Sequence, residues 1–174
     1  FRFGLLDRNL GTLSEVADRL NKPGKKILTH ELDLRDTENP KKVVEEVKGQ
    51  GLIDILLNNA GFDRPGTTAK IDAKGFSDVL NIHIVVPLTL IHLILPDMRK
   101  AGWGRIINIS SIYGLISAKG EIAYSTAKAG IIGLTKSVAK EAGSDGVTVN
   151  TVLAGLTRTP TIERFMAESV NRMK

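Results

Sequence analysis

Tyr124 and Lys128 stand four residues apart in Tyr-Ser-Thr-Ala-Lys (124–128), within an alanine- and glycine-rich stretch. On a helix, that spacing puts both side chains on one face. A free phenol has a pKa near ~10 and is a poor base at neutral pH. A neighbouring ammonium favours the phenolate and lowers that value. The pair can therefore be an acid/base and the charge that tunes it, taking a proton from a hydroxyl or giving one to a carbonyl. Ser111 precedes Tyr124 by thirteen residues and follows an apolar run, so it offers a hydroxyl at a strand end. Plainer readings stand beside these: a surface helix pair for Tyr124 and Lys128, and a helix or turn cap for Ser111. As a hydrolase nucleophile Ser111 is poorly served. Asn-Ile-Ser-Ser-Ile-Tyr-Gly (108–114) is not a Gly-x-Ser-x-Gly elbow, and no histidine follows it in the chain.

Composition narrows the class. The 174 residues are one domain or part of one, with 42 % hydrophobic and 25 % charged residues, enough apolar material for a core. The chain has no cysteine, which excludes disulfides, thiolate metal sites and a cysteine nucleophile. No metal site is expected, and the composition fits a cytoplasmic protein. The net charge of +5 raises nucleic acid as a partner, but the basic residues alternate with acids, and one Trp and two Tyr leave little for base stacking. No membrane association is expected either. The longest apolar candidate, 82–98, contains His83, Pro87, His92, Pro96 and Asp97. The opening Phe-Arg-Phe-Gly-Leu-Leu-Asp-Arg does not read as a signal peptide.

Strand and helix patterns alternate along the chain. Residues 1–7 read as an apolar strand, and Leu10, Leu13, Val16, Ala17 and Leu20 repeat at helical spacing until Lys-Pro-Gly breaks them. A strand follows at 26–32. Asn39 and Pro40 start a helix with Val43, Val44 and Val47 inward, and Gly49 ends it. The run 52–59 alternates little, as a parallel strand covered on both faces does. Asp72 caps a long helix through Phe76, Val79 and Leu80 towards Arg99, and Pro87 should bend it. Strands at 104–110 and 146–153 flank a helix at 122–143 on which Ala127, Ile131, Leu134 and Val138 recur, and 161–173 looks helical. Five strands alternating with five helices predict an α/β fold, a doubly wound parallel sheet with helices on both faces. Ligands then bind at the carboxyl ends of the strands. Asp7, Asp33, Asn58, Asn59, Ser110 and Ser111 follow strands. A closed barrel of eight such units needs about 250 residues.

Asn-Asn-Ala-Gly (58–61), Asn-Ile-Ser-Ser (108–111), Tyr-Ser-Thr-Ala-Lys (124–128) and Val-Asn-Thr-Val-Leu-Ala-Gly (149–155) come in one order at matched separations. On these motifs the chain resembles the short-chain dehydrogenases/reductases, NAD(P)-dependent oxidoreductases of Rossmann fold, over nearly all its length. A lone Tyr-x-x-x-Lys is weak, whereas four motifs in register on a matching element pattern are specific. The resemblance implies a single, partial Rossmann-type domain over 1–174. It implies Tyr124 as acid/base, Lys128 as its tuning charge and ribose ligand, and Ser111 as the hydrogen-bond partner of the substrate oxygen. Asp7, ending the first strand, matches the carboxylate that takes the adenosine ribose hydroxyls and repels a 2′-phosphate. NAD is therefore expected over NADP, although Arg8 next to it can pair with a phosphate; the plainer reading of Asp7 is a helix cap. Asp33 and Leu34 match the adenine-contacting pair. Asn59, Ala60 and Gly61 match the ribose-contacting turn, whose small residues allow close approach. Gly155, Thr157 and Thr159 match the loop near the nicotinamide amide and phosphates.

Three departures follow. The family's first strand and its Thr-Gly-x-x-x-Gly-x-Gly phosphate loop are absent. The expectation is that roughly 30 residues of strand, loop and helix precede Phe1, and that further elements follow Lys174. The missing strand belongs between those of Asp7 and Asn58, leaving two unpaired interior edges. His83 falls where the family usually has an asparagine serving a proton relay. It is a candidate for that place, while His30 and His92 read as structural. Ala154 replaces a usual proline, which should loosen its loop. The expected partners are a small alcohol or carbonyl substrate and further copies of the chain, in a homotetramer or homodimer. Gly-Trp-Gly-Arg-Ile-Ile-Asn-Ile (102–109) and Gly-Val-Thr-Val-Asn (146–150) are similar to stretches of hydroxybutyrate dehydrogenases and acyl-thioester reductases. A hydroxy acid or an acyl thioester is thus a possible substrate. A non-catalytic relative that binds a dinucleotide as a sensor or scaffold is the alternative.

Overall fold

The computed structural model describes residues 2–20, 26–34, 39–159 and 163. Its elements run β1 (Arg2–Asp7), α1 (Leu10–Leu20), β2 (Lys26–Glu31), α2 (Asn39–Lys48), β3 (Ile55–Asn58), α3 (Ala73–Leu80), α4 (Val86–Ala101), β4 (Gly104–Ser111), α5 (Ile122–Ala142) and β5 (Val147–Ala154). All strand pairs are parallel. β1 pairs with β2, and β3, β4 and β5 form a second sheet in that order. Strands and helices alternate as predicted, so the α/β doubly wound expectation holds. The helix expected at 161–173 lies outside the described residues, apart from Glu163.

Among the described residues β1–β2 and β3–β4–β5 are not hydrogen-bonded to each other, a gap that matches the unpaired interior edges expected between the strands of Asp7 and Asn58. β3 differs from its expected double coverage. Leu56 and Asn58 turn inward, whereas Ile55 and Leu57 are each 57 % exposed. Val152 shares that open face, through the pairs Leu57–Ile107 and Ile109–Val152. The apolar run reports strand character, but coverage depends on which helices lie over each face.

The other face carries the core. Ile106, Val147 and Val149 pack with Ile91, Leu95 and Met98 of α4 and with Val138 and Ala142 of α5. α2 joins through Val44. His30 of β2 sits 3.5 Å from Glu46 of α2, consistent with a structural role. His92 is exposed.

Asp72 caps α3 as expected, accepting from the Gly75 N–H at 2.6 Å. The helix does not run regularly to Arg99. Between α3 and α4, residues Asn81–Val85 form a π-turn, closed by the Val86 N–H on the Asn81 carbonyl. Pro87 has no N–H to donate, and it falls just after this π-turn. Together, Ala73–Ala101 is long and apolar enough to cross a membrane, yet half of its most apolar window is buried in this fold. That burial is what a core helix shows.

A buried polar chain ties the layers. Asn58 Nδ2 donates to Asn108 Oδ1 (2.8 Å) and Asn108 Nδ2 donates to Thr135 Oγ1 (2.9 Å). Thr135 donates on to the Ile131 carbonyl, and Thr151 donates to the Asn108 carbonyl at 3.0 Å. Asn108 is fully buried, so its amide depends on these partners. The chain fixes β3, β4, β5 and α5 relative to one another just below the carboxyl ends of the strands.

Candidate active site

β4 and α5 bring the chemistry together. Ser110 Oγ donates to the Lys128 carbonyl at 2.7 Å, tying α5 to the end of β4. Gly114 makes the approach possible, since a Cβ there would lie 2.6 Å from the Lys128 carbonyl oxygen. Ser111, the last residue of β4, is thereby brought near Tyr124, close enough for its hydroxyl to pull the phenol's pKa down. Ser111 Oγ also accepts from the Tyr113 N–H at 3.2 Å, so the cap reading and the site reading both apply to it. Lys128 Nζ lies 5.4 Å from the centre of the Tyr124 ring. His83 stands edge-on to the same ring at 5.6 Å, and Tyr113 does so at 6.3 Å.

The electrostatics differ from the sequence expectation. Burial pushes the Tyr124 phenol up from its ordinary value, the nearby Ser111 hydroxyl pulls it down, and the charges of Asp63 and Glu121 push it up further, so the net direction is opposite to the one the spacing suggested. The Lys128 ammonium donates to the Ile109 carbonyl at 2.8 Å and lies over the ring. Burial also brings Lys128 itself down to about 8. His83 falls to about 4, through burial first and the Lys128 charge second, opposed by the Phe62 carbonyl bonded to Nε2 at 2.9 Å.

Asp63 and Glu121 are site residues that the sequence reading missed. Burial, then the charge and hydrogen bond of Asp63, push Glu121 up to about 7. Glu121 lies at the start of α5, one turn before Tyr124, and Asp63 lies two residues after Gly61. The Gly66 N–H donates to the Gly120 carbonyl at 2.7 Å, which clips the two segments together. Proximity of Asp63 to Asn-Asn-Ala-Gly and of Glu121 to Tyr124 was the available signal. Their pairing required the clip. Beside it a cleft opens, lined by Gly66, Thr67, Ser117, Lys119, Gly120 and Ile122.

The expected cofactor residues are more dispersed. Asn59 and Ala60 are exposed after β3, and Gly61 contacts His83. Asp7 is exposed at the carboxyl end of β1, and one of its oxygens accepts from the Asn9 N–H at 2.9 Å. Asn9, not Asp7, caps α1, accepting from the Thr12 N–H at 3.1 Å. Asp33 and Leu34 follow β2, with Leu34 packed against the core. After β5, Gly155 and Thr157 are exposed, with Thr157 Oγ1 on the Gly155 carbonyl. The Thr159 carbonyl accepts from the Glu163 N–H at 2.9 Å. Asp7, Asn59, Ala60 and Gly61 are thus exposed at the carboxyl ends of their strands.

The structure is thus a doubly wound parallel fold with a Ser, a Tyr and a Lys gathered at the strand ends. Residues 1–169 match the short chain dehydrogenase family, and the chain belongs to it. The chain is 35 % identical over 161 residues to the 3-oxoacyl-(acyl-carrier-protein) reductase FabG of Vibrio harveyi, covering 92 % of this chain and 63 % of the relative. It thus spans less than two thirds of that relative's length. An NAD+-bound xylitol dehydrogenase superposes with a TM-score of 0.88 at 25 % identity, covering 96 % of this chain and 65 % of the other. ElxO with NADP bound gives 0.85 at 27 % identity, covering 95 % and 68 %.

Proposed function

We propose that the protein is a nicotinamide-dependent oxidoreductase interconverting a secondary alcohol and a ketone, with Tyr124 as acid/base. The observation that carries this is the convergence of three side chains: Lys128 Nζ lies 5.4 Å over the Tyr124 ring, and Ser110 ties α5 to the end of β4, where Ser111 sits. When bound, the nicotinamide ring exchanges the hydride with the carbinol carbon. Tyr124 takes the carbinol proton in oxidation and returns it to the carbonyl oxygen in reduction. Ser111, at the end of β4, holds that oxygen by hydrogen bonding. Lys128, still largely cationic at neutral pH, binds the ribose hydroxyls. His83 occupies the relay position behind it.

NAD is the cofactor we favour over NADP. Asp7 keeps a carboxylate at the strand end, where it accepts from ribose hydroxyls and repels a phosphate. Relatives of both kinds exist, since the xylitol dehydrogenase holds NAD+ and ElxO holds NADP. Asp33, Leu34, Asn59, Ala60, Gly61, Gly155, Thr157 and Thr159 complete the proposed cofactor site. The reductase relative supports an acyl thioester as substrate class, with a hydroxy acid as the other candidate. Val85 and Leu88, each 47 % exposed on the long helix, support assembly as a homodimer or homotetramer.

The test is oxidation of NADH and NADPH by the full-length protein against a panel of ketones and 3-oxoacyl thioesters. Tyr124→Phe should lower kcat by about 10²–10⁴. Unchanged turnover in that variant refutes the assignment. Tight dinucleotide binding without turnover on any carbonyl favours the sensor reading instead.

A further inference from the structure

Gly61 is a glycine without a conformational need for one. The described glycines with positive φ are Gly51, Gly102, Gly120 and Gly146, and Gly61 is not among them. Space is the constraint, and the occupant is His83. A Cβ on Gly61 would lie 2.0 Å from His83 Cε1 and 2.8 Å from each ring nitrogen. Ordinary contact begins near 3.4 Å.

The imidazole is held on several sides. His83 is 5 % exposed. Its Nε2 lies 2.9 Å from the Phe62 carbonyl, which can only accept, so Nε2 carries the proton. Burial, with the Lys128 charge, keeps the ring neutral down to about pH 4. Its edge meets the Tyr124 ring at 86°. The π-turn Asn81–Val85 sets the direction from which it enters. One residue inserted into a helix rotates the following face by about 100°, so a regular turn here would aim the ring elsewhere.

We propose that His83 is a positioning residue, a neutral wedge that couples the Asn59–Gly61 turn to Tyr124. This rests on the reading above, in which that turn takes the cofactor ribose and Tyr124 transfers the proton. Gly61 then serves the imidazole as well as the cofactor. Moving the ring displaces the Phe62 carbonyl on one side and frees the phenol edge on the other. Dinucleotide affinity and the ionisation of Tyr124 thereby become linked through one side chain.

The experiment is a double-mutant cycle in the full-length protein with Gly61→Ala, His83→Ala and the combined variant. Dinucleotide affinity is read by NADH fluorescence, folding by circular dichroism and melting, and Tyr124 by the pH profile of kcat. Gly61→Ala should weaken NADH binding and lower kcat/KM roughly a hundredfold, the order expected of an ångström-scale misplacement. His83→Ala should lose less and shift the pH limb assigned to Tyr124. The combined variant should bind NADH at least about tenfold better than Gly61→Ala, because the vacated ring space accepts the new Cβ. Absence of that rescue overturns the wedge, since a clash with the dinucleotide itself would persist. An unmoved NADH affinity and pH profile in His83→Ala also overturns it. Should Gly61→Ala fail to fold, recovery of a native melt in the combined variant is the supporting result, and its failure to recover refutes the proposal. Tyr124→Phe tests the parent reading separately, because rescue of affinity and melting does not depend on turnover.

Discussion

Replacing Asn108 by leucine distinguishes two accounts of the site's foundation by the sign of the effect. Asn108 is fully buried beneath Ser110 and Ser111. If only apolar burial mattered there, a leucine of similar size would stabilise the protein through transfer from water. The hydrogen bonds argue the reverse. Asn108 accepts from Asn58 at 2.8 Å and donates to Thr135 at 2.9 Å, each bond contributing about 1 kcal/mol net. Leucine also leaves the Asn58 amide facing an apolar group, at a further cost of about 1–3 kcal/mol. Thr135 keeps its bond to the Ile131 carbonyl and adds little. A destabilisation of about 2–4 kcal/mol is expected, even after some repayment by the apolar side chain. The assay is urea unfolding of wild type and Asn108→Leu with the slope m compared, so that a midpoint shift at constant m reports stability. Asn58→Ala is the second arm. Its cost should shrink in the Asn108→Leu background, because the two side chains share one bond. A more stable Asn108→Leu, or strictly additive costs, refutes the reasoning.

The Asp63–Glu121 pair makes a pH prediction. Glu121 holds its proton to about pH 7 in the fold, against 4.5 ordinarily. The folded protein therefore binds more protons than the unfolded chain between those values, and this contribution to stability falls as pH rises from about 4.5 to 7. Glu121→Gln should flatten that slope in melting curves. It should also move the Tyr124 limb of the kcat profile to lower pH, because one charge opposing the phenolate is gone; no change in either measurement counts against the pair. Gly114→Ala should destabilise the fold by about 1–3 kcal/mol in denaturant titrations, since its Cβ meets the Lys128 carbonyl backbone rather than a mobile side-chain tip. A neutral result would mean that α5 is not held as closely to β4 as its contacts indicate.

Much of the fold was legible because its signals are local. Apolar period, Asp72 before a helix and Pro40 at another's start are properties of a few neighbouring residues, and each appears where expected. The π-turn was not legible. Nothing in Asn-Ile-His-Ile-Val distinguishes a five-residue turn from a regular one, and the nearby proline predicted a bend instead. The exposure of Ile55 and Leu57 was likewise hidden, because an apolar strand reads the same whether one face is covered or two.

By itself the sequence determined the family, the order of elements, and the membership of Ser111, Tyr124 and Lys128 in one motif set. Those depend on residue identity and spacing along the chain. The tertiary structure decided what surrounds them. It turned the Lys128 ammonium to the Ile109 carbonyl, brought Asp63 against Glu121, and set His83 between Gly61 and Tyr124. Desolvation and Coulomb effects depend on distances through space, between segments such as 61–63, 83 and 121–128. No spacing within any one of them encodes those distances.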